Sequence, residues 1–237
     1  MPATNPRWLG AAVAGAMACL GPPARAEVAA ALAADSDYRL RGLSLSDGRP
    51  SLSASLSYDH PSGLYAGLTG IAVDTRRSGV RPLGYAAYLG YARRLDSGLS
   101  WEVGVANRRV SVYRDHHRAA DYTEIYGGLT RGDVSARLYF SPEYLGEGGR
   151  TLYAELDGAY HPAPRWRLFG HAGVLTVLRS PHDYAGRARY DLRLGAAREF
   201  GHGEVRAAWT TTSPASAYPT GYGRGRDAIV VGAALFF

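Results

Sequence analysis

Arginine is the residue type through which this chain could act on a solute. It has 27 basic residues, and none of them is lysine. Arg165 and Arg167 fall two residues apart and Arg189 and Arg193 four apart within stretches that otherwise alternate apolar and polar, Arg206 follows on the next such stretch, and Arg39, Arg41 and Arg137 lie in others. A guanidinium stays charged and grips carboxylate or phosphate through a planar fork, so such a stripe on one wall would track small anions. Acids occupy matching positions: Glu102, Glu155, Asp157 and Asp191, with Glu204 beside Arg206. Charge held away from bulk water must be paired or hydrated. If these residues share a cavity, they either pair and close it or line a water-filled passage whose charge sets ion selectivity.

Other chemistries have weaker support. There is no G-x-S-x-G, and His171 has no serine or aspartate partner evident in the sequence around it, so a hydrolase site is not expected. The adjacent His116 and His117 would point apart on a strand and are read as a solvated loop rather than a metal site. Arg131-Gly132-Asp133 reads as a tight turn, and Gly221-Tyr222-Gly223-Arg224-Gly225 as a loop tip with no helix after it to cradle phosphate. The expectation is a protein that is not an enzyme, with no catalytic, metal or cofactor-binding residues and no cofactor.

The elements that must position these charges are strands. The chain ends Ile229, Val231, Ala233, Leu235, Phe237, apolar at every second residue and aromatic at the last. An amphipathic strand of about ten residues is what a membrane β-barrel needs to close. Counted back from there, period-two alternation gives twelve candidate strands: Ala29–Arg41, Ser51–Asp59, Gly63–Asp74, Leu83–Arg93, Leu99–Arg109, Ala120–Thr130, Asp133–Phe140, Thr151–Tyr160, Arg165–Leu178, Gly186–Glu199, Glu204–Thr212 and Asp227–Phe237. Short links rich in turn formers, such as Asp96-Ser97-Gly98 and Gly201-His202-Gly203, alternate with long ones: Gly42–Pro50, Thr75–Pro82, Val110–Ala119, Ser141–Arg150, Arg179–Ala185 and Ser213–Arg226. A barrel with both termini in the periplasm has this pattern, because its periplasmic turns are short and its external loops long. Tyr58, Tyr65, Tyr91, Trp101, Tyr160, Trp166, Phe236 and Phe237 then fall near one interface, and Tyr113, Tyr122, Tyr139, Tyr144, Tyr184, Tyr190 and Trp209 near the other, as two aromatic girdles.

At the start, Arg7 precedes an apolar run, Trp8–Leu20, that is broken by Gly21-Pro22-Pro23 and followed by Ala24-Arg25-Ala26. This reads as a signal peptide over residues 1–26, cleaved before Glu27. The only cysteine, Cys19, lies within it, leaving no disulfide in the exported chain. The net charge of +6 is mild, and no basic run or recognition-helix pattern points to nucleic acid. No uncharged apolar window of about 18 residues exists, so helical membrane spans are excluded.

Asp35-Ser36-Asp37-Tyr38-Arg39-Leu40-Arg41-Gly42-Leu43-Ser44-Leu45-Ser46, running on to Pro50, resembles the opening of the TorF-type porins, the Gcw_chp family, which reads like S-D-Y-x-F-R-G-x-S-x-[ST]-x-x-x-P. Leu52–Tyr58 and Gly63-Leu64-Tyr65-Ala66-Gly67 are similar to that family too. Leu40 departs from it, standing where an aromatic is expected, and on a wall strand would face lipid. The resemblance implies an outer-membrane barrel with a channel role; it supplies no substrate and no catalytic residues.

The expected protein is therefore all-β: a transmembrane antiparallel up-and-down barrel of about twelve strands over residues 27–237, in the bacterial outer membrane. The expected role is passive diffusion of small hydrophilic solutes, with a preference for anions if the arginines face water. The alternative is a structural or surface-interaction barrel whose lumen is closed by ion pairs and whose external loops carry the function. Expected partners are outer-membrane lipid, small solutes, and the barrel-assembly machinery and periplasmic chaperones, with Phe237 as the terminal insertion signal.

Overall fold

The computed structural model describes residues 26–75, 79–112, 115–144, 149–179, 188–213 and 227–237, leaving out the side chains of 112–118. The leader with Cys19, the tip Gly221–Gly225, Tyr113 and Tyr184, and the side chains of His116 and His117 lie outside the described residues.

The wall is a closed antiparallel barrel of twelve strands. They are β1 (Glu27–Asp35), β4 (Ser51–Asp59), β5 (Leu64–Thr75), β6 (Gly79–Arg94), β7 (Ser100–Val112), β8 (Asp115–Arg131), β9 (Val134–Tyr144), β10 (Gly149–Ala163), β11 (Trp166–Arg179), β12 (Ala188–Phe200), β13 (Gly203–Thr212) and β14 (Ala228–Phe236). Between β1 and β4 sits a separate two-stranded sheet of β2 (Arg39–Leu40) and β3 (Leu43–Ser44). Each wall strand pairs with its neighbours in sequence, and β1 pairs with β14 to close the cylinder.

Alternation fixes the two faces. Leu52, Leu56, Leu68, Leu156, Leu194 and Ile229 point outward, with Ile229 74% and Leu194 61% exposed. In water such a surface would be a large unshielded apolar patch; around a closed barrel it is the band that meets lipid. The opposite phase turns inward and is buried: Tyr65, Glu102, Glu124, Arg137, Tyr153 and Asp191. The tight turns on the side of the two termini use left-handed backbone, with φ of 79° at Gly98, 58° at Gly132 and 59° at Gly201.

The strands run longer than their alternation suggests. Val110–Ala119 reads as a loop in sequence, yet β7 reaches Val112 and β8 starts at Asp115; Thr75–Pro82 and Ser141–Arg150 are likewise largely strand. Beyond the lipid, both faces of a strand meet water, so the polar–apolar contrast disappears while the backbone pairing continues.

The first strand is shorter than expected. β1 stops at Asp35, and the amide of Ser36 donates to the carbonyl of Val231 at 2.8 Å. The segment from Ser36 to Pro50 then folds into the cylinder instead of forming an external loop. Leu43, Ser44, Leu45 and Ser46 are 8%, 3%, 3% and 0% exposed. Leu40, expected against lipid, packs on the interior cluster beside Tyr38, because it belongs to this segment and not to the wall.

The aromatic girdles also need revision. Tyr58, Tyr160, Trp166, Phe237, Tyr190 and Trp209 do face outward, at 41%, 65%, 41%, 71%, 51% and 40% exposure. Tyr65, Tyr122, Tyr139 and Tyr144 are inside and buried, because they sit in the polar phase of their strands, where a phenol can find a hydrogen bond.

Candidate functional site: the filled lumen

Asp37 organises the infolded segment. One carboxylate oxygen accepts from the hydroxyls of Ser44 and Ser46 (2.9 Å) and from the amide of Gly48 at 3.2 Å; the other accepts from Nε of Arg39 at 2.6 Å. Arg39 also donates to the carbonyl of Gly42 at 2.9 Å. The amide of Tyr38 bonds the Ser46 hydroxyl at 2.8 Å, and that of Leu45 bonds the Tyr38 carbonyl at 2.8 Å. The short motif Asp37, Arg39, Gly42, Ser44, Ser46 thus ties itself into a knot before it touches the wall.

Arg41 then fastens this plug across the lumen. Its Nη2 donates to both oxygens of Glu124 on β8, at 2.7 and 2.9 Å, with side chains 4% and 1% exposed. Arg108 on β7 donates to the same carboxylate at 3.0 Å. The Arg41 guanidinium lies 3.9 Å from the ring centre of Tyr153 and 5.4 Å from that of Tyr144, and Arg189 donates to the Arg41 carbonyl at 3.2 Å. Gly42 seats the turn against β12 and β13. Its φ is 76°, and a Cβ there would stand 2.7 Å from that of Thr212 and 2.8 Å from that of Asp191. Beside Tyr38, Leu40, Leu45, Ile71 and Leu83 there remains a void of about 10 Å³, room for a single water.

A second belt of charge circles the wall. Tyr65 donates to Glu102 at 2.6 Å, and Glu102 accepts from Nε of Arg137 at 2.6 Å. Arg137 lies 3.8 Å from Glu155, which accepts from Tyr139 at 3.0 Å. His171 holds Asp157 at Nδ1 (2.8 Å) and Asp191 at Nε2 (3.0 Å), and Tyr153 donates to Asp191 at 3.2 Å. Arg167 donates to Glu204, and Arg206 grips Asp35 through both oxygens at 2.6 and 2.8 Å.

The residues expected to line the lumen are therefore brought together in part. Arg137, Arg167, Arg206, Glu102, Glu155, Asp157 and Asp191 lie on the inner wall in this belt, and Arg189 is on that wall at 1% exposure. Arg39 and Arg41 are inside, but on the plug and not on a first wall strand. Arg165 is not in the lumen: it sits exposed in the turn between β10 and β11, with a φ of 66°. Arg193 and Arg167 both stand by the Phe169 ring, 5.8 and 5.1 Å from its centre, and Arg193 has no carboxylate within 4.0 Å among the described residues. Phe237 turns its ring outward while its amide donates to the Ala30 carbonyl at 2.9 Å.

His171, read in sequence as lacking acidic partners, has two, supplied by neighbouring strands that are distant in sequence. Ligand atoms of Glu155, Asp157 and His171 lie within 4.8 Å of one another, a spacing a metal ion could use, although both imidazole nitrogens already face carboxylates. The serines that hold Asp37 were missed altogether, because their role depends on a turn that brings positions seven and nine residues apart onto one oxygen.

A closed twelve-stranded cylinder with an apolar outer band and a charged interior is an outer-membrane β-barrel. The chain belongs to the Gcw_chp family, described as a bacterial protein of unknown function, whose model matches residues 20–236. No curated protein matches it. Among solved structures, the KdgM porin is 10% identical with a TM-score of 0.53, covering 88% of this chain and 99% of its own. The NanC porin is 11% identical with a TM-score of 0.55, covering 88% and 99%. At such identities the likeness is one of fold.

Proposed function

We propose that this protein is a porin-type diffusion barrel for small hydrophilic solutes, held closed by its own segment Ser36–Pro50 and opened when that segment leaves the lumen. One observation carries the reading. Around the plug, inward residues of strand after strand are dry: Glu124, Tyr153, Leu175 and Arg189 are each 1% exposed, and Ser46 on the plug is 0%. A standing column of water at this level would wet at least one side of that ring. The fold shared with proteins called porins supports the channel half of the proposal.

Selectivity would come from the wall left behind. Arg167 is compensated by Glu204, Arg206 by Asp35 and, elsewhere on the wall, Arg137 by Glu102, so the support for an anion preference comes from Arg193, which has no carboxylate within 4.0 Å among the described residues. The second reading, a structural barrel with functional loops, is favoured by the same pairing, since a wall this well neutralised does not need water inside. Delivery by periplasmic chaperones and the barrel-assembly machinery, with the terminal Phe237 as the insertion signal, completes the proposal.

Single-channel recording in planar bilayers tests it. The mature protein should be silent or briefly flickering, and a variant with 37–48 replaced by a short Gly-Ser turn should conduct in steady steps. A reversal potential favouring anions in a salt gradient would assign the residual preference to Arg193 if R193Q removes it. Equal steady conductance by both proteins rejects the plug as a gate. A folded, plugless protein that stays silent favours the structural barrel.

A further inference from the structure

The outer surface carries a feature that the lumen does not explain. At the end bearing the short turns, two of the outward arginines stand directly opposite a tryptophan on the adjacent strand: Arg198 on β12 pairs in register with Trp166 on β11, and Arg93 on β6 with Trp101 on β7. The Arg198 guanidinium stands 5.2 Å from the ring centre of Trp166 and 5.0 Å from that of Phe200. On its other side the register partner is Val205, 49% exposed. Trp101 packs in turn against Tyr91, the ring centres 5.7 Å apart and the planes tilted by 51°. Neither arginine has a carboxylate within 4.0 Å among the described residues. The outward arginine near the opposite rim, Arg109, does have one: Asp121 at 3.7 Å. The two rows are separated by β8–β10 on one side of the ring.

Depth identifies what meets these cations. Arg198 lies two residues inside the last residue of β12, and Arg93 one inside the last of β6, so both stand within about 7 Å of the strand edge, at the level of lipid headgroups. A cation at that depth, walled by apolar and aromatic side chains, finds a matching counter-ion in lipid phosphate, and an aromatic face such as that beside Arg198 favours a flat-lying guanidinium whose fork is free to meet it.

We propose that Arg198 with Trp166 and Phe200, and Arg93 with Trp101 and Tyr91, each seat the phosphodiester of one anionic phospholipid in the periplasmic leaflet. These are binding sites, not a diffuse charge, because the Arg198 fork is coupled to a fixed aromatic wall and Arg93 stands in register directly opposite Trp101. They rest on the membrane reading of the outer face alone and stand whether or not the lumen opens.

The test uses the mature protein reconstituted in equimolar phosphatidylglycerol and phosphatidylcholine, extracted mildly, with retained lipid counted by native mass spectrometry. The wild type should keep up to two phosphatidylglycerols, favoured over phosphatidylcholine by about fivefold per site. R198Q should lose one, and the R93Q/R198Q double variant both, while R198K keeps a weakened preference. Both positions are exposed and outside the lumenal network, and counts are taken only on protein with the heat-modifiable gel mobility of a folded barrel. Equal retention of the two lipids by the wild type, or an unchanged count in the double variant, overturns the proposal. Millimolar glycerol phosphate should displace nothing; displacement by it would make these simple phosphate sites and overturn the assignment to lipid.

Discussion

Replacing Glu124 with Gln should release the plug. Glu124 is 1% exposed and accepts from Arg41 at 2.7 and 2.9 Å and from Arg108 at 3.0 Å. The amide keeps the shape but removes the charge and turns one acceptor into a donor facing a guanidinium. Arg41 would then stay buried without its carboxylate, and breaking a buried pair in this way costs about 3–5 kcal/mol. Arg41 is the arm by which the plug crosses the lumen, so the loss falls on docking and not on the wall ladder. At about 1.4 kcal/mol per tenfold, the undocked population should rise by roughly two to four orders of magnitude. Trypsin reads this directly. Arg49 precedes Pro50 and is a poor site, whereas the Arg39–Leu40 and Arg41–Gly42 bonds lie inside the barrel when the segment is docked and are cleavable when it is free. In vesicles, E124Q should yield fragments beginning at Leu40 or Gly42 far faster than the wild type, with heat-modifiable mobility unchanged. A folded E124Q cut at these bonds no faster than the wild type would refute the reasoning, and so would a wild type already cut there rapidly.

Gly42→Ala should loosen the plug by about 1–3 kcal/mol, since its Cβ would meet Thr212 and Asp191 at 2.7 and 2.8 Å and its φ is 76°; the same tryptic fragment measures it, and wild-type resistance would count against the packing described. Leu194→Arg, on the outer face at 61% exposure, should lower stability in urea refolding titrations by about 2–4 kcal/mol in lipid, with no loss if that face met water. Amino-terminal sequencing of the exported protein should read from Glu27; an intact Met1 would reject the leader.

Parity made most of the wall legible. In β4 the outward Leu52, Leu56 and Tyr58 and the inward serines could be read residue by residue, because one face meets lipid and the other does not. The plug escaped the same reasoning because its sequence keeps a strand-like rhythm through Tyr38 and Leu40. Nothing local says that Ser36 is where the ladder ends, and what diverts the chain is the capture of Asp37 by residues further on. Tyrosine was misplaced for a related reason: an aromatic near a strand end fits a girdle and an interior equally by type, and only its phase, as at Tyr122 and Tyr139, puts it inside. Arg165 was misread because a positive φ at a non-glycine leaves no mark in alternation. The pairing of His171 with Asp157 and Asp191 depends on strand register, which one sequence does not display.

The clasp between Asp35 and Arg206 has a consequence for assembly. These residues are 171 positions apart, one on β1 and the other on β13, so the contact passes over the intervening strand β14 at Gly232, where a Cβ would sit 2.0 Å from Asp35. It can form only after β14 has docked on both neighbours, which makes it a lock on the seam rather than part of the zipper that builds it. The segment that fills the lumen begins at the next residue, Ser36, whose amide is bonded to Val231 on the same seam. An incompletely closed cylinder therefore lacks the anchorage from which its plug is launched, so sealing the interior has to follow sealing the wall.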